Sequence, residues 1–99
     1  MHIIADFTLI PIGVGVSLSP YVAEVERLLQ SRGLKAVLHA NGTSVEGEWE
    51  AVMDCIRACH ERLHDMGVPR IHTDIRLGTR VDRMQKMEDK ISSVLEKMK

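Results

Sequence analysis

The chain has 99 residues, of which 44% are hydrophobic, 27% charged and only 3% aromatic, and its formal net charge at pH 7 is −1. This length suits a single domain, residues 1–99, with an aliphatic core that oligomerisation would help to stabilise. Acidic and basic residues are interleaved rather than gathered in a basic stripe, and the few aromatic residues cannot build a base-stacking surface. Both features argue against a nucleic-acid partner.

The first segment predicts a strand over residues 2–10, because apolar residues recur at every second position. The residues of this apolar face are Ile3, Ala5, Phe7 and Leu9. The same segment has neither a cationic leader nor a long apolar run, which predicts no signal peptide and no contact with a membrane. Two cysteines without an export signal favour reduced thiols and a cytoplasmic location.

A first helix is expected after a loop over residues 11–18, which Pro11, Gly13 and Gly15 keep irregular. Ser19 is predicted to be the N-cap and Pro20 the first helical residue. Gly33 is typical of a helix C-terminus. The buried stripe of this helix is formed by Val22, Val25, Leu28 and Leu29.

A hairpin follows, with strands over residues 34–40 and 43–48 joined at Asn41-Gly42, which is the strongest short-range hairpin signal. The second of these strands is more polar than architecture alone requires. Its polar side chains are Thr43, Ser44, Glu46 and Glu48. This hairpin is therefore the first place to expect a ligand.

The second helix is predicted from about Glu48 to Met66, and a fourth strand from Arg70 to Gly78. The helix carries an apolar face at spacings of three and four residues. This face consists of Val52, Ile56, Cys59, Leu63 and Met66. Apolar residues of the fourth strand alternate with polar ones, and Ile71, Ile75 and Leu77 are expected to face the helices.

A third helix is predicted to begin at an Asp82 cap. Its apolar positions, at nearly heptad spacing, are Met84, Met87, Ile91, Val94, Leu95 and Met98.

The order β-α-β-β-α-β matches the α+β ferredoxin-like sandwich, with this third helix added at the C-terminus. Two right-handed crossovers place both main helices on one face of an antiparallel sheet, with the first and third strands in its centre.

The opposite face of this sheet, which we call the polar face, combines charged and apolar side chains. Its residues are Ile4, Asp6, Thr8, Ile10, Ser44, Glu46, His72, Asp74 and Arg76. Two compatible interpretations exist. The face stacks on another subunit through ion pairs, or it lines a pocket whose carboxylates bind a cationic or amino-bearing small molecule.

Catalytic and metal-binding patterns are weak. Cys55 and Cys59, and likewise His60 and His64, are four residues apart, but one helix cannot supply four convergent ligands. The Gly13-Val14-Gly15 sequence lacks the third glycine of a dinucleotide fingerprint. We therefore predict no metal, no cofactor and no catalytic residues. A small hydrolase using Asp74, Glu46 or His72 is the enzymatic alternative.

The sequence resembles the thiamine-binding-protein family of small ferredoxin-like domains over essentially its whole length. The resemblance is carried by residues 41–49 with Val52-Met53, by residues 16–22, and by residues 73–80. Among these, the Gly-Thr-x-x-Glu-Gly-Glu core at residues 42–48 is the most specific. The pair Ala40-Asn41 departs from the bulkier residues of the family pattern.

The resemblance implies a homodimer that extends the sheet, or a homotetramer that also stacks the sheets, and non-catalytic binding of thiamine or its hydroxymethylpyrimidine moiety. The implied ligand-binding residues are Ser17, Ser19, Thr43, Glu46, Trp49, Asp74 and Arg76. The leading hypothesis is thus a cytoplasmic small-molecule-binding protein with its site near the hairpin strand and an oligomer interface. The alternative is a structural or regulatory homo-oligomer that buries the polar face between subunits without a ligand.

Overall fold

A computed structural model describes residues 1–99, and its four strands form one antiparallel sheet in the order β2-β3-β1-β4. The elements in chain order are β1 His2–Ile12, α1 Ser19–Ser31, β2 Lys35–His39, β3 Gly42–Glu48, α2 Trp49–Asp65, β4 Arg70–Thr79 and α3 Met87–Lys97. The predicted ferredoxin-like α+β order is confirmed, and β1 and β3 occupy the centre as expected.

The hydrophobic core lies between one face of the sheet and the helices α1 and α2. The strand residues Ile3, Ala5, Phe7, Leu9 and Val45 are buried there. The helices contribute Val25, Leu29, Val52, Cys55, Ile56, Cys59 and Leu63. Each large side chain removed from water in this way stabilises the fold by about 1.5–3 kcal/mol. The alternation predicted for β1 is confirmed at every position.

The first helix begins one residue earlier than predicted. Leu18, not Ser19, is the N-cap, and its carbonyl oxygen accepts hydrogen bonds from the backbone nitrogens of Tyr21 (3.0 Å) and Val22 (3.1 Å). Because a backbone carbonyl begins the helical ladder, Ser19 becomes a helical residue and makes no capping bond. The stop at Gly33 is confirmed by its φ of +68°, a left-handed conformation that favours glycine.

The hairpin turn also lies one residue earlier than predicted. His39 pairs with Gly42, so Ala40 and Asn41 form the turn and Gly42 belongs to β3. A Cβ atom at Gly42 would lie 2.6 Å from Oγ1 of Thr8 on the neighbouring strand. Glycine is therefore needed here for close strand approach and not for a turn conformation.

Three predicted core positions on α2 and β4 are more exposed than expected. Met66 is the C-cap of α2 and is 37% exposed, whereas Cys55 takes a buried place in the helix. Ile75 and Leu77 lie opposite Phe7 and Ala5 in the sheet, hence on the helix side, yet both remain more than a third exposed. The reason is that β4 is an edge strand and neither α1 nor α2 packs extensively against it.

The third helix differs most from expectation. It begins at Met87 after an N-cap at Lys86, whereas Asp82 binds Arg80 instead of capping the helix. Its first turn lies over the polar face, because the Met87 backbone nitrogen donates to Oε1 of Glu46 at 3.1 Å. Met87 is its only buried residue, and Ile91, Val94, Leu95 and Met98 are more than half exposed.

None of the three helices combines the length and the apolar character needed to cross a membrane.

Candidate functional site

The hairpin and α1 enclose an open cleft of about 720 Å³, which we call the hairpin cleft. Its floor and walls come from the end of β1, the turn of the hairpin, the loop before α1 and the first turns of α1. The apolar lining includes Phe7, Leu9, Val16, Leu18, Val22, Val25 and Leu38. The side chains of Ser19, Glu26 and Thr43 add polar groups to this lining. A largely apolar concavity with a few polar groups is typical of a small-molecule site.

A hydrogen bond between Thr43 and Glu26 is the main polar feature of the cleft. Thr43 Oγ1 donates to Glu26 Oε2 at 2.9 Å, and Thr43 is only 4% exposed. Thr43 reaches this side of the sheet because it pairs with Phe7, whose side chain is in the core. The threonine hydroxyl keeps its lone pairs for an incoming donor. The carboxylate of Glu26 has no other side-chain partner.

Sequence reasoning missed Glu26, although a signal was present. Glu26 follows Val22 by four residues and precedes Leu29 by three, so it falls inside the apolar stripe of α1. A carboxylate in that position is partly withdrawn from water, and such a group favours a cation or a hydrogen-bond donor that replaces its lost hydration. Chemically, Glu26 can accept hydrogen bonds from an amino group held against the apolar walls.

The two predicted serines have different places. Ser19, the first residue of α1, lines the hairpin cleft. Ser17 is exposed in the preceding loop and does not line the cleft. The structure therefore brings Ser19 and Thr43 together at one site and leaves Ser17 at its outer margin.

Glu46 lies on the polar face, where groups of this same chain surround it. Its carboxylate is 2.7 Å from Nζ of Lys35 and 2.9 Å from Nε2 of His2, and it accepts the bond from the Met87 nitrogen. Burial opposes its ionisation, but the hydrogen bonds from Lys35, Met87 and His2 prevail and hold the pKa of Glu46 below its ordinary value. Glu46 thus attaches the start of α3 to the sheet.

Asp74 and Arg76 also lie on the polar face but do not pair with each other. Nη2 of Arg76 is 2.9 Å from Oδ2 of Asp6, and Nε2 of His39 is 3.2 Å from the other oxygen of Asp6. The guanidinium and the imidazole hold the pKa of Asp6 below its ordinary value. Asp74 is exposed and lies 3.6 Å from His72. Sequence reasoning omitted Lys35 and His39, the ammonium and imidazole groups that β2 adds to this face.

Trp49 is distant from the hairpin turn. It is the first residue of α2, and its backbone nitrogen donates to the Met1 carbonyl at 2.7 Å. The strand β3 runs from Gly42 to Glu48, so Thr43 and Trp49 are separated by roughly 20 Å along an extended strand. The structure does not bring Trp49 to the cleft that contains Thr43.

The cysteines and histidines of α2 have structural contacts. Cys55 and Cys59 are both fully buried, and their mutual hydrogen bond together with burial raises the pKa of Cys59. Nε2 of His60 is 2.6 Å from Oγ1 of Thr73, and Nδ1 of His64 is 2.7 Å from the Val68 carbonyl. No three His, Cys, Asp or Glu side chains are grouped in a way that could hold a metal ion.

The strand order, with α1 and α2 on one face of the sheet, defines a ferredoxin-like α+β fold, here with an open cleft beside the hairpin. The chain belongs to the thiamine-binding protein family, whose sequence profile it matches over residues 5–95. The resemblance stated from the motifs is thereby confirmed.

One relative and two proteins of known structure are similar to this chain. A UPF0045 protein of Synechocystis is 47% identical over 94 residues, which cover 95% of this chain and 78% of that protein. A hypothetical protein of Methanocaldococcus jannaschii has a crystal structure with a TM-score of 0.88 at 25% identity, covering 96% of this chain and 97% of that one. A Thermotoga maritima protein, described as a candidate for thiamine biosynthesis or salvage, shares the fold with a TM-score of 0.81 at 19% identity. The match covers 95% of this chain and 99% of that one.

Proposed function

We propose that this protein binds thiamine, or its hydroxymethylpyrimidine moiety, in the hairpin cleft and performs no catalysis. The observation that supports this most directly is the Thr43–Glu26 pair at 2.9 Å inside a largely apolar concavity. Membership in a family named for thiamine binding supports the same ligand class. The description of the Thermotoga maritima protein points to thiamine metabolism as well.

The chemistry of the cleft suits an aminopyrimidine. Its flat ring can lie against the apolar walls, where removal from water is favourable. Its exocyclic amino group can donate to the Glu26 carboxylate, and the cationic thiazolium of thiamine adds attraction to the same charge. The hydroxyl groups of Thr43 and Ser19 supply further hydrogen bonds. The pyrimidine alone offers the amino group without the positive charge.

Calorimetric titration with thiamine and with hydroxymethylpyrimidine tests the proposal. We expect saturable heat with both compounds and a rise in the melting temperature, because a ligand selective for the folded state stabilises it by mass action. Oxythiamine, in which a carbonyl replaces the amino group, is the matched comparison and is expected to bind more weakly. Absence of heat and of a thermal shift at millimolar ligand would overturn the proposal.

We also propose that the protein forms a homodimer or homotetramer with the cleft beside an interface. The edge strand β2 pairs only with β3, and its residues Val37 and Leu38 are each 56% exposed. Leu38 also lines the hairpin cleft, so a second copy paired along β2 would lie next to the ligand. Analytical ultracentrifugation tests this, and a strict monomer at micromolar concentration would contradict it. The cytoplasmic location stays a prediction.

A structural or regulatory homo-oligomer without a ligand is the second candidate. It is favoured by the polar face, where Asp6 and Glu46 already have partners within this chain and offer little to a ligand. Neutralised ion pairs beside Ile4 and Ile10 are compatible with burial against another subunit. A stable oligomer that gives no heat with either compound would support this candidate over ligand binding.

A further inference from the structure

A second cleft, of about 690 Å³, lies over the polar face at the opposite end of the sheet from the hairpin turn. We call it the tail cleft, because the segment between β4 and α3 forms one of its walls. Its lining residues from the sheet include His2, Ile4 and Gly78, and those from the tail include Arg80, Arg83, Met84 and Lys90. Nothing in the proposed thiamine site involves these residues.

Positive charge dominates the tail cleft. Arg80, Arg83 and Lys90 line it, whereas the only carboxylate in the lining is Glu48, which lies 2.7 Å from the amino group of Met1. Neither Arg83 nor Lys90 forms an ion pair or a side-chain hydrogen bond within the chain, in contrast to most charged groups on the polar face. Two cations without an ion pair of their own therefore line one concavity, and Asp82 is the carboxylate whose pKa the Arg83 charge helps to lower.

Arg80 makes several contacts within this wall of the cleft. Its Nε and Nη2 atoms lie 2.6 Å and 2.8 Å from the two carboxylate oxygens of Asp82, and Nη1 lies 3.2 Å from Oε1 of Gln85. A bidentate arginine–carboxylate pair restricts both side chains. These contacts connect residues on both sides of Arg83.

Gly78 leaves the floor of the cleft open. It pairs with Ile4 inside the sheet. A glycine inside a strand weakens that strand, and it often marks a place where a ligand or another backbone approaches closely. A Cβ atom built at Gly78 would meet no atom within 4 Å, and the residue has no positive φ. Neither packing nor backbone conformation therefore requires glycine at this position. Its effect is to leave room beside the apolar Ile4.

We propose that the tail cleft is a second binding site, which takes a phosphate monoester of a small apolar group, with Arg83 and Lys90 binding the phosphate and Ile4, Gly78 and Met84 accommodating the apolar part. Arginine and lysine are the side chains that most readily bind phosphate oxygens. The apolar residues favour an organic phosphate over the inorganic ion, because only a ligand with carbon atoms can cover their apolar surface and stabilise the complex in this way.

Phenyl phosphate, inorganic phosphate and phenol are the probes that separate these contributions. In a nuclear magnetic resonance titration at constant ionic strength, we expect phenyl phosphate to shift the amide signals of Gly78, Arg83 and Lys90 saturably. Inorganic phosphate should bind at the same place more weakly, and phenol should cause no comparable shift. Constant ionic strength is needed because salt screens exposed charges.

The double variant Arg83→Gln/Lys90→Gln should weaken phenyl phosphate binding by about tenfold or more, because it removes both charged donors. Lys97→Gln/Lys99→Gln removes the same net charge outside the cleft and should leave the affinity unchanged. Gly78→Val, which suits a strand, should exclude phenyl phosphate but retain inorganic phosphate.

Three results would overturn the proposal: no saturable shift at these amides, equal weakening by both double variants, or shifts confined to the hairpin cleft. None of these probes contains a pyrimidine or a thiazolium. The outcome is therefore independent of whether the protein binds thiamine.

Discussion

The hairpin cleft and the polar face both contain carboxylates, but these carboxylates differ in how many partners they already have. Glu46 binds Lys35, His2 and the Met87 nitrogen, whereas Glu26 receives a single hydrogen bond from a neutral hydroxyl. A saturated carboxylate stabilises the fold, and an unsaturated one in an apolar cleft is available to a ligand. The number of acidic residues on a surface is thus a poor guide to a binding site. Their unused hydrogen-bonding capacity is a better one.

The largest expected effect comes from Glu46→Ala, which breaks the polar-face network. The substitution leaves the Met87 nitrogen without its acceptor and Lys35 without its buried partner, so we expect the free energy of unfolding to fall by about 2–3 kcal/mol. Denaturant titration measures this. Ser44→Ala, two residues earlier on the same face, should change it by less than about 0.5 kcal/mol. A thiamine affinity that fell in parallel with stability would place Glu46 at the ligand.

The next largest effect is expected in the hairpin cleft, where Glu26→Gln should lower the affinity for thiamine. The amide still accepts from Thr43 but carries no charge, so thiamine affinity should fall by about tenfold or more, as expected for loss of a charged hydrogen bond. Calorimetry measures this. Glu24→Gln, on the same helix, removes a carboxylate paired with Arg27 and Arg62 and should leave affinity unchanged. Equal affinities for wild type and Glu26→Gln would exclude this carboxylate from binding.

Thr43→Val should have a smaller effect. Threonine and valine side chains have nearly the same shape, but the substitution removes the hydroxyl that orients Glu26. We therefore expect the affinity for thiamine to fall by about 2- to 10-fold. The fold should survive, as judged by circular dichroism and melting temperature. Ser44→Ala again serves as the control, because its side chain lies on the opposite face of the sheet. Unchanged affinity in Thr43→Val would remove the hairpin strand from the site.

The smallest predicted effect is the contribution of two carboxylates on the polar face, Asp6 and Glu46, to the pH dependence of stability. The pKa values of Asp6 and Glu46 are lower in the folded protein than their ordinary values of 3.8 and 4.5. Above those ordinary values their stabilisation is fully present, and it is lost as the pH falls through the lower folded pKa values. Denaturant titrations between pH 3 and pH 6 should show this decrease. The slope should be smaller in Glu46→Gln, and an identical slope would contradict the assignment.

Much of the fold could be predicted from local patterns. The two-residue period of β1 and the apolar stripes of α1 and α2 identify the core side of each element, and the order of elements then selects the topology. The errors occurred where distant contacts overrule local signals. The turn at Asn41-Gly42 is displaced because Gly42 must approach Thr8, and α3 begins late because Glu46 binds the Met87 nitrogen 41 residues away.

The candidate site could be predicted only in part. The family resemblance suggested Thr43 and Ser19, both of which line the hairpin cleft. Glu26 requires knowledge that α1 packs beside the hairpin, which periodicity alone does not reveal. Ligand roles stay predictions for all seven residues, as does the single-domain organisation. These residues are Ser17, Ser19, Thr43, Glu46, Trp49, Asp74 and Arg76.

The attachment of α3 through its first turn has a consequence for local unfolding. An isolated helix of 11 residues is marginal in water, and beyond Met87 this one buries no side chain against the rest of the chain. Its amides should therefore exchange hydrogen through opening events far less costly than global unfolding. Glu46 and Lys35, which bind Met87 and Glu88 at the start of the helix, would set how often the C-terminal tail opens.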